Sequence, residues 1–499
     1  MTIDINLLRE NKGGDPEKVR ESERRRFRDP KTVDEVIALD KAWVAKQYDM
    51  EQKKKEMNAV QKKIGEKKKA SGGKDKCEEE MAEKGKLEEA VKQLEQEAGE
   101  LHKKRDETLA KIGNILDDSV PVSQDEDKDN EVVALWGKIP TFDAKYQTDG
   151  FRPHFELIEM IGGINFEAGR DVFGSRGYFL TGPAVLLNQA LINYGLAFLM
   201  REGYTPVQPP FMMKKDVMAQ AAELKDYDDV LYKVTEGEEH PELDRYLIAT
   251  SEQPITALYR NKVIDMKELR PPANTAATHG GHGEGTVDLN PDSSKYGIRF
   301  AGVSSCFRKE AGSSGRDIRG IFRCHQFEKV EQFCIVDEDK SKEEHVKISK
   351  VAERFYQSLG FPYRVVNIVS GEINDAASKK FDLEAWFPGD ADGKGQYREL
   401  VSASNCLDFQ SRRMDTRAGH GTDQQFPHML NSTLVATQRC MCCLLENYQT
   451  KEGIDTDRLL IISKKMLVMV VMHSLRDFFD LSCKIAYNAL LCQHAKTKT

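Results

Sequence analysis

The sequence predicts an α+β protein, with an antiparallel β-sheet core flanked by helices and an N-terminal antiparallel α-helical coiled-coil arm. The chain has no proline between Pro30 and Pro121 and no aromatic residue between Tyr48 and Trp136, as expected of long exposed helices. Beyond about residue 151 it is rich in aromatic residues and interrupted by proline and glycine. No regular alternation of strand and helix units emerges there, which favours an antiparallel sheet over a doubly wound one.

The predicted arm depends on charge and heptad spacing. Residues 51–100 contain 13 lysines and 13 acidic residues, too many for a globular core. The glycine-containing segment Ser71–Asp75 lies between two apolar series, so we expect a helical hairpin over residues 33–116, with helices of about 35 residues. The series, which are typical of coiled-coil seams, are Val36, Trp43, Met50, Met57 and Ile64, then Leu87, Val91, Leu94, Ala98 and Leu101.

The first helix of this hairpin is basic and the second is acidic. Residues 51–70 contain 8 lysines and 3 glutamates. Charged helix faces are usually only solvated, so these residues alone favour a spacer or dimerisation arm. The alternative is a lysine-rich face that binds nucleic-acid phosphates. Its candidate contacts are Lys53, Lys54, Lys55, Lys62 and Lys63.

Overall composition sets the broad class. The 499 residues suggest two to four domains. With 74 basic and 82 acidic residues the net charge is −8, so any polyanion site must be a local patch. Ten cysteines without regular pairing favour a reducing compartment. The longest apolar stretch, residues 459–472, is short and contains Lys464 and Lys465, so we expect a cytoplasmic protein that does not cross a membrane.

A predicted hairpin carries the first chemical motif. Residues 307–310, Phe-Arg-Lys-Glu, precede a Gly/Ser loop and then a strand that ends near Glu331. The loop arginines Arg316 and Arg319, beside Arg308, suit a phosphate chain because planar guanidinium groups match phosphate oxygens. Taken alone, such a hairpin favours the alternative that its arginines only pair with surface acids.

Two further motifs follow along the chain. The Glu399 carboxylate and the Ser402 hydroxyl could both bind one hard cation, as nucleotide sites bind magnesium. Arg439, near the start of an apolar helix, could contact a phosphate or stack on a base. Each motif alone is an ordinary end of a strand or helix.

In this order, the motifs resemble those of the class II aminoacyl-tRNA synthetases. Gly203–Phe211 resembles motif 1, with Pro210 at the dimer-interface position; the hairpin resembles motif 2, and Asn431–Arg439 resembles motif 3. The resemblance narrows to the cytosolic seryl-tRNA synthetase family and covers roughly residues 3–455. The segments that narrow it are Thr250–Gln253, Gly315–Phe333, Glu399–Ser402 and His428–Asn431.

This resemblance implies a sheet of six to seven antiparallel strands and a homodimer. It also implies ATP-dependent ligation of L-serine to tRNA(Ser) through a seryl-adenylate, with Mg²⁺ as cofactor, and serylation of selenocysteine tRNA where that tRNA is present. The alternative is a catalytically inactive synthetase-like protein that acts in RNA binding or as a scaffold. Intact Arg308, Glu331, Glu399 and Arg439 argue against that alternative.

The resemblance assigns residues to each ligand. Arg308, Glu310 and Arg439 are the expected catalytic residues, and Glu399 and Ser402 the metal ligands. Serine is expected to contact Thr250, Glu252, Arg308, Glu331 and Asn431. ATP is expected to contact Arg308, Glu310, Cys324, His325, Gln326, Phe327, Glu399, Leu400, Val401, Ser402 and Arg439.

The predicted domains are a tRNA-binding domain at 1–118, an acidic linker and lead-in at 119–150, a catalytic domain at 151–455 and a tail at 456–499. Two segments depart from the family. Residues 271–295 look like an insertion, and their string His279–His282 is interpreted as a loop because no Rossmann unit surrounds it. The tail has apolar clusters without a clean amphipathic pattern, for which we expect weak peripheral packing.

Overall fold

The computed structural model describes residues 2–140, 150–222, 230–237, 239–270, 297–310, 319–390, 394–451 and 453–455. The chain divides into two compact units, one of residues 1–116 with Asn374–Ala376, the other from Asp117 onward without those three residues. The predicted boundaries at residues 118, 150 and 455 stay predictions. The proposed insertion and tail lie outside the described residues.

Three helices build the first unit. Helix α1 is Pro16–Arg25, α2 is Lys31–Ala70 and α3 is Glu78–Leu109. Two short 3-10 turns, Ile5–Leu8 and Glu10–Lys12, precede them. The Asp15 carboxylate accepts hydrogen bonds from the first backbone N–H groups of α1, which satisfies donors that have no partner within the helix.

Helices α2 and α3 form the predicted antiparallel coiled-coil arm. Lys46 pairs with Glu97 at 2.6 Å, Lys54 with Glu95 at 2.8 Å, and Lys67 with Glu80 beside the turn. As the residue number rises along α2, the number of its partner on α3 falls, as an antiparallel hairpin requires. All ten predicted seam residues are buried or half-buried. The arm therefore buries its apolar stripe although it contains many charged residues.

An eight-stranded sheet forms the core of the second unit. Its strands are β1 Glu131–Trp136, β2 Thr205–Val207, β3 Ile298–Phe307, β4 Gln326–Val336, β5 Tyr363–Asn367, β6 Lys379–Phe387, β7 Gln396–Asn405 and β8 His428–Ala436. Their spatial order is β1-β5-β6-β7-β8-β4-β3-β2. All neighbouring strands are antiparallel except the edge pair β2 and β3, which is parallel.

The antiparallel core flanked by helices is confirmed, but the strand count is higher than the six to seven expected. The additional strands lie at the two edges of the sheet. The segment Glu131–Trp136, assigned above to the linker and lead-in, pairs with β5, and the three-residue strand β2 lies beside β3. Edge strands of this kind are short or partly polar, so residue patterns identify them poorly.

Helices cover one face of the sheet. The main ones are α4 Gly182–Arg201, α5 Ser341–Leu359 and α6 Thr437–Asn447. Gly195 of α4 packs against Val330, and the Ile348 carbonyl of α5 accepts a hydrogen bond from Gln332 on the same face of β4. Buried residues of all three helices join one hydrophobic core. Among the described residues, α4 is the one helix long and apolar enough to cross a membrane by length and composition.

Shorter elements connect these parts. The further helices are Glu126–Asp129, His154–Met160, Phe166–Phe173, Lys215–Ala221, Glu252–Thr256, Met266–Leu269 and Phe409–Met414. The further strands are Ile164–Asn165, Phe179–Leu180, Met212–Lys214, Lys233–Val234, Arg245–Leu247, Val263–Ile264, Arg417–Ala418, Gln449–Thr450 and Gly453–Ile454.

Candidate active site

Several of the predicted site residues collect on the sheet face opposite the helices. Side chains alternate along β4, so Glu331 points away from the face that carries Val330 and Gln332. Glu331 lies in register with Thr433 of β8, and Asn431 lies in register with Ser404 of β7. Residues directly opposite on paired strands share a face. Polar side chains from non-adjacent parts of the chain therefore converge on one surface.

A β-bulge brings Glu399 and Ser402 onto this surface together. In a regular strand, residues three apart point to opposite faces. Here Ser402 is opposite Asp382 and Glu399 is opposite Glu384, while Leu400 is the extra residue of β7. Asp382 and Glu384 are two apart on β6 and so share a face, which puts Glu399 and Ser402 on that face too.

A buried carboxylate forms the centre of the predicted serine pocket. Glu331 is 2% exposed and accepts hydrogen bonds from Thr250 Oγ1 at 2.5 Å and Ser251 Oγ at 3.0 Å. Lys329 Nζ lies 3.1 Å from the same carboxylate. Gly302, in register with Glu331, leaves room for this loop, because a Cβ there would lie 2.7 Å from Ser251 Oγ.

The second carboxylate of the pocket is held by two amides. Glu252 Oε1 accepts a hydrogen bond from Asn431 Nδ2 at 2.8 Å and another from Gln410 Nε2 at 2.6 Å. Asn431 and Gln410 are both buried, whereas Glu252 is half-buried. The carboxylate therefore has a fixed orientation beside the pocket and can contact a bound polar ligand.

Arg308 lies at the mouth of the hairpin formed by β3 and β4. Its backbone N–H donates to the His325 carbonyl at 2.9 Å, which closes the strand pair. The guanidinium group lies 5.3 Å from the centre of the Phe327 ring, and Nε donates a long 3.4 Å bond to the Ala249 carbonyl. No ion pair to Arg308 occurs in the described parts of the chain, so most of its donors are available to a ligand.

A cavity next to Arg308 joins residues of the second and third motifs. Its aromatic element is Phe322, whose ring centre lies 3.7 Å from the Arg398 guanidinium carbon and 4.6 Å from that of Arg439. Both guanidinium groups thus lie at cation–π distance from Phe322 and form with it a flat wall against which a base can stack. The lining residues are Arg308, Glu310, Ile321, Phe322, Arg323, Cys324, Phe327, Lys329, Glu399, Leu400, Thr433, Ala436, Gln438 and Arg439.

The electrostatics of this wall favour an ionised Glu399. Its side chain keeps 45% exposure, and Arg439 Nη1 lies 3.4 Å from Oε2. Partial burial alone would raise the pKa of Glu399, but the positive charges of Arg439, Lys380 and Arg308 lower it to about 2. Burial raises the pKa of the neighbouring Asp382 to about 7, even though Lys380 opposes that shift.

The donor atoms around Glu399 fit a hard cation. Carboxylate and hydroxyl oxygens are the ligands that magnesium prefers, and Asp382 Oδ1 is buried with no hydrogen-bond partner. No group of three His, Cys, Asp or Glu side chains that could hold a metal is found where the structure is described. The Glu399 carboxylate and the Ser402 hydroxyl are therefore the oxygen ligands that this surface offers to such a cation.

Some predicted ATP contacts lie outside the cavity. The side chains of His325 and Gln326 line a neighbouring groove, where the His325 ring contacts Phe173. Val401 is buried in the helix-covered core. None of these three side chains therefore lines the cavity beside the Arg308 guanidinium group, although His325 Nδ1 lies 3.0 Å from the Arg308 carbonyl oxygen. The loop residues 311–318, including Arg316, lie outside the described residues, and the five arm lysines belong to the other unit.

Several residues of the site were not predicted. Lys329 and Ser251 contact Glu331, Gln410 contacts Glu252, and Phe322 lines the cavity with Arg398 packed on its ring. The sequence could have identified Lys329, because it is two residues from Glu331 on the same strand and so shares its face. No local sequence pattern could have identified Gln410, since it contacts Glu252, which is 158 residues away in the sequence.

Family models match both units of the chain. The model described as the seryl-tRNA synthetase N-terminal domain matches residues 2–116. The model described as the tRNA synthetase class II core domain (G, H, P, S and T) matches residues 287–448. The second match includes the hairpin and the Glu399 and Arg439 segments.

Relatives that align over more than 90% of both chains show which family this chain belongs to. The serine–tRNA ligase of Helianthus annuus is 47% identical over 460 residues, which cover 91% of this chain and 94% of the relative. This chain belongs to the serine–tRNA ligase family. The cytoplasmic serine–tRNA ligase of Arabidopsis thaliana is 44% identical, with coverage of 92% and 94%. The cytoplasmic location expected of this ligase is confirmed by relatives that carry that name.

Solved structures agree with this assignment. The cytoplasmic serine–tRNA ligase of Naegleria fowleri, in complex with AMP, has a TM-score of 0.77 and 41% identity, with coverage of 94% of this chain and 97% of that one. Seryl-tRNA synthetase of Pyrococcus horikoshii, complexed with ATP, has a TM-score of 0.78, 35% identity and coverage of 92% and 98%. The chain is thus a serine–tRNA ligase, a class II aminoacyl-tRNA synthetase, as the motifs predicted.

Proposed function

We propose that this ligase joins L-serine to tRNA(Ser) in two steps, through a seryl-adenylate. A serine carboxylate oxygen attacks the α-phosphorus of ATP and the bond to pyrophosphate breaks. A hydroxyl of the terminal tRNA ribose then attacks the seryl carbonyl carbon, and AMP leaves. Where selenocysteine tRNA is present, it is serylated in the same way. The observation that carries the proposal is the joint cavity of Arg308, Phe327, Glu399 and Arg439 beside the Glu331 pocket.

Positioning and charge neutralisation account for most of the catalysis. Arg308 can bridge the serine carboxylate and the α-phosphate and balance the charge that develops between them. Phe327 and Arg439, which both line the cavity, would cover the two faces of adenine, and Glu310 would accept a hydrogen bond from the adenine amino group. Glu310 has φ 50°, a strained backbone conformation of the kind that clusters at functional sites.

Magnesium would be held by Glu399 and Ser402 and, when bound, would supply charge neutralisation to the ATP phosphates. The nearby Arg439 and Lys380 limit the accumulation of negative charge at this wall. Both features suit a polyphosphate substrate. They do not favour the alternative of an inactive RNA-binding or scaffolding protein, which would not need such a constellation.

The experiment that tests the proposal is serine-dependent exchange of labelled pyrophosphate into ATP, followed by serylation of a tRNA(Ser) transcript. We expect exchange with serine and far less with alanine, glycine, cysteine or threonine, and no charging of a tRNA of another isotype. Charging of a selenocysteine tRNA transcript is measured in parallel. Binding of tRNA without any exchange would instead support the scaffolding alternative.

Asn431→Ala tests how serine is distinguished from alanine. A site that hydrogen-bonds a substrate hydroxyl rejects the analogue without it by roughly 10⁴ to 10⁵. Loss of the 2.8 Å bond from Asn431 loosens Glu252. We therefore expect kcat/KM for serine relative to alanine to fall by about ten- to 100-fold, while KM for ATP changes little.

Ser432→Ala is the matched control, because Ser432 is the next residue of β8 and lies opposite Gln332 on the helix-facing side. It should leave the serine-to-alanine ratio unchanged. If Asn431→Ala weakened ATP binding alone, Asn431 would have to be removed from the serine pocket.

We also propose that the ligase is a homodimer. Apolar side chains at the start of α4 and in the segment before it are strongly exposed within the second unit, with Leu186 73% and Val172 74% exposed; Phe173, Phe179 and Val185 are also exposed. Such a patch marks an interaction surface. Sedimentation should give a dimer for the unaltered chain and a monomer for Leu186→Asp; a monomeric unaltered chain would contradict the proposal.

A further inference from the structure

One buried acid beside the nucleotide cavity has no role so far. Asp382, on β6, is 5% exposed. Its Oδ2 lies 3.2 Å from Lys380 Nζ, but its Oδ1 has no hydrogen-bond partner in the described part of the chain. Burying a carboxylate oxygen without a partner is unfavourable, and buried polar atoms left unpaired are rare in folded proteins. Ser402 already interacts with the Asp382 carboxylate and opposes the rise of its pKa, so a full hydrogen bond to the unpaired oxygen needs only a small adjustment.

The strand register identifies the candidate contact. Asp382 is directly opposite Ser402, and opposite residues of antiparallel strands have Cβ atoms about 4.5–5.5 Å apart. The β7 bulge puts Glu399 on the same face. A carboxylate and a hydroxyl at that separation can form one hydrogen bond with small side-chain rotations.

The chemistry of a hydroxyl ligand requires such an acceptor. When a serine oxygen donates a lone pair to a cation, its hydrogen must point away from the cation and needs another acceptor. Lys380 already occupies the other oxygen of Asp382, so Oδ1 is the atom with free capacity.

We propose that Asp382 is a positioning residue for the metal site: its Oδ1 accepts the hydrogen of the Ser402 hydroxyl and so directs the Ser402 lone pair towards the cation held with Glu399. Lys380 fixes the Asp382 carboxylate in the orientation that this hydrogen bond requires. The inference rests on the proposed function, because the cation is the magnesium that accompanies ATP. A purely structural Asp382–Lys380 ion pair is the competing explanation.

Asp382→Asn tests the inference in the full-length chain. With Lys380 holding the amide oxygen, the amide N–H groups of the variant face Ser402 and occupy the lone pair that the cation needs. The probe is Mn²⁺, measured by electron paramagnetic resonance in the presence of α,β-methylene-ATP, so that binding is read without turnover. Loss of a residue that orients a metal ligand typically weakens metal binding ten- to 100-fold, and we expect about tenfold here, with serine binding unchanged.

A double-mutant cycle separates the two explanations. If Asp382 acts through Ser402, then Asp382→Asn adds nothing to the loss of Mn²⁺ affinity in a Ser402→Ala background. Glu384→Gln is the matched control, since Glu384 lies on the same face of β6 and pairs with Arg364; it should keep full Mn²⁺ affinity.

Three results of the Mn²⁺ measurements would contradict the role of Asp382 or the metal site itself. Unaltered Mn²⁺ affinity in Asp382→Asn, with or without a lower melting temperature, overturns the inference and leaves the ion pair as structural. An equal loss in the Ser402→Ala background also overturns it, because Asp382 would then act independently of Ser402. If the unaltered ligase itself binds no Mn²⁺ with the ATP analogue, the proposed metal site fails and not merely the role of Asp382.

Discussion

Replacing Arg308 by alanine is expected to lower kcat/KM for serine-dependent pyrophosphate exchange by about 10²- to 10³-fold or more, with an unchanged melting temperature. The guanidinium group is half-buried, makes one long bond to the Ala249 carbonyl and forms no ion pair among the described residues. Its removal therefore costs the fold little. It removes a preorganised cation from the point at which the serine carboxylate and the α-phosphate must meet.

Arg308→Lys should also fail, because a single ammonium group cannot bridge two oxygens as a planar guanidinium does. Arg354→Ala is the control: Arg354 lies on α5 and pairs with Glu202 at 2.6 Å, on the helix-covered side of the sheet. It should retain full exchange. Near-normal exchange in either Arg308 variant would refute the catalytic role assigned to the hairpin.

Local patterns made most of the fold predictable. The arm follows from heptad spacing and a glycine-containing turn, both of which act over a few residues, and its ten seam residues are buried or half-buried as expected. The hairpin that carries Arg308 is likewise formed by neighbouring strands. By contrast, β1 pairs with β5 across more than 200 residues, and nothing within Glu131–Trp136 specifies that partner.

The site was predictable in its residue types and not in its geometry. The motifs supplied Glu331, Asn431 and Glu399, whose convergence on one face follows from strand order, and Arg439, which lies near the start of α6 within 3.4 Å of Glu399. What places Glu399 and Ser402 on that face is a single extra residue at Leu400, and a bulge has no reliable sequence signal. Contacts such as Gln410 to Glu252 depend on how distant segments pack, so no local pattern could indicate them.

The largest effect on the transfer of serine to tRNA is expected from shortening the coiled-coil arm. Removing Lys53–Ala70 and Glu78–Glu95 deletes 18 residues, or five helical turns, from each helix. The parts of both seams nearer the base of the arm are unchanged, and the turn that follows α2 is retained. We expect serylation of tRNA(Ser) to fall by about 10²-fold or more, because the proposed lysine–phosphate contacts are lost. Serine-dependent pyrophosphate exchange should stay within about twofold, since no residue of the cavity comes from the first unit.

The base of the arm should remain folded after this deletion. Asp40 is buried between Arg9 at 2.7 Å and Arg105 at 3.0 Å, and Arg105 lies over Trp43. All four residues are retained, as is the Lys46–Glu97 pair. A cooperative melting transition of the shortened protein would verify that the first unit still folds.

A charge variant isolates the electrostatic contribution from the shape of the arm. Lys55, Lys62 and Lys63 are exposed and form no ion pair in the described parts of the chain, whereas Lys53 and Lys54 pair with Glu56 and Glu95. Changing the three unpaired lysines to glutamine keeps the hairpin and should weaken tRNA binding. The slope of log affinity against log salt should fall by up to about 0.7–0.9 for each lysine that contacts a phosphate. An unchanged slope in this lysine variant would refute these phosphate contacts. For the shortened protein, loss of pyrophosphate exchange would mean that the arm is needed to fold the catalytic unit.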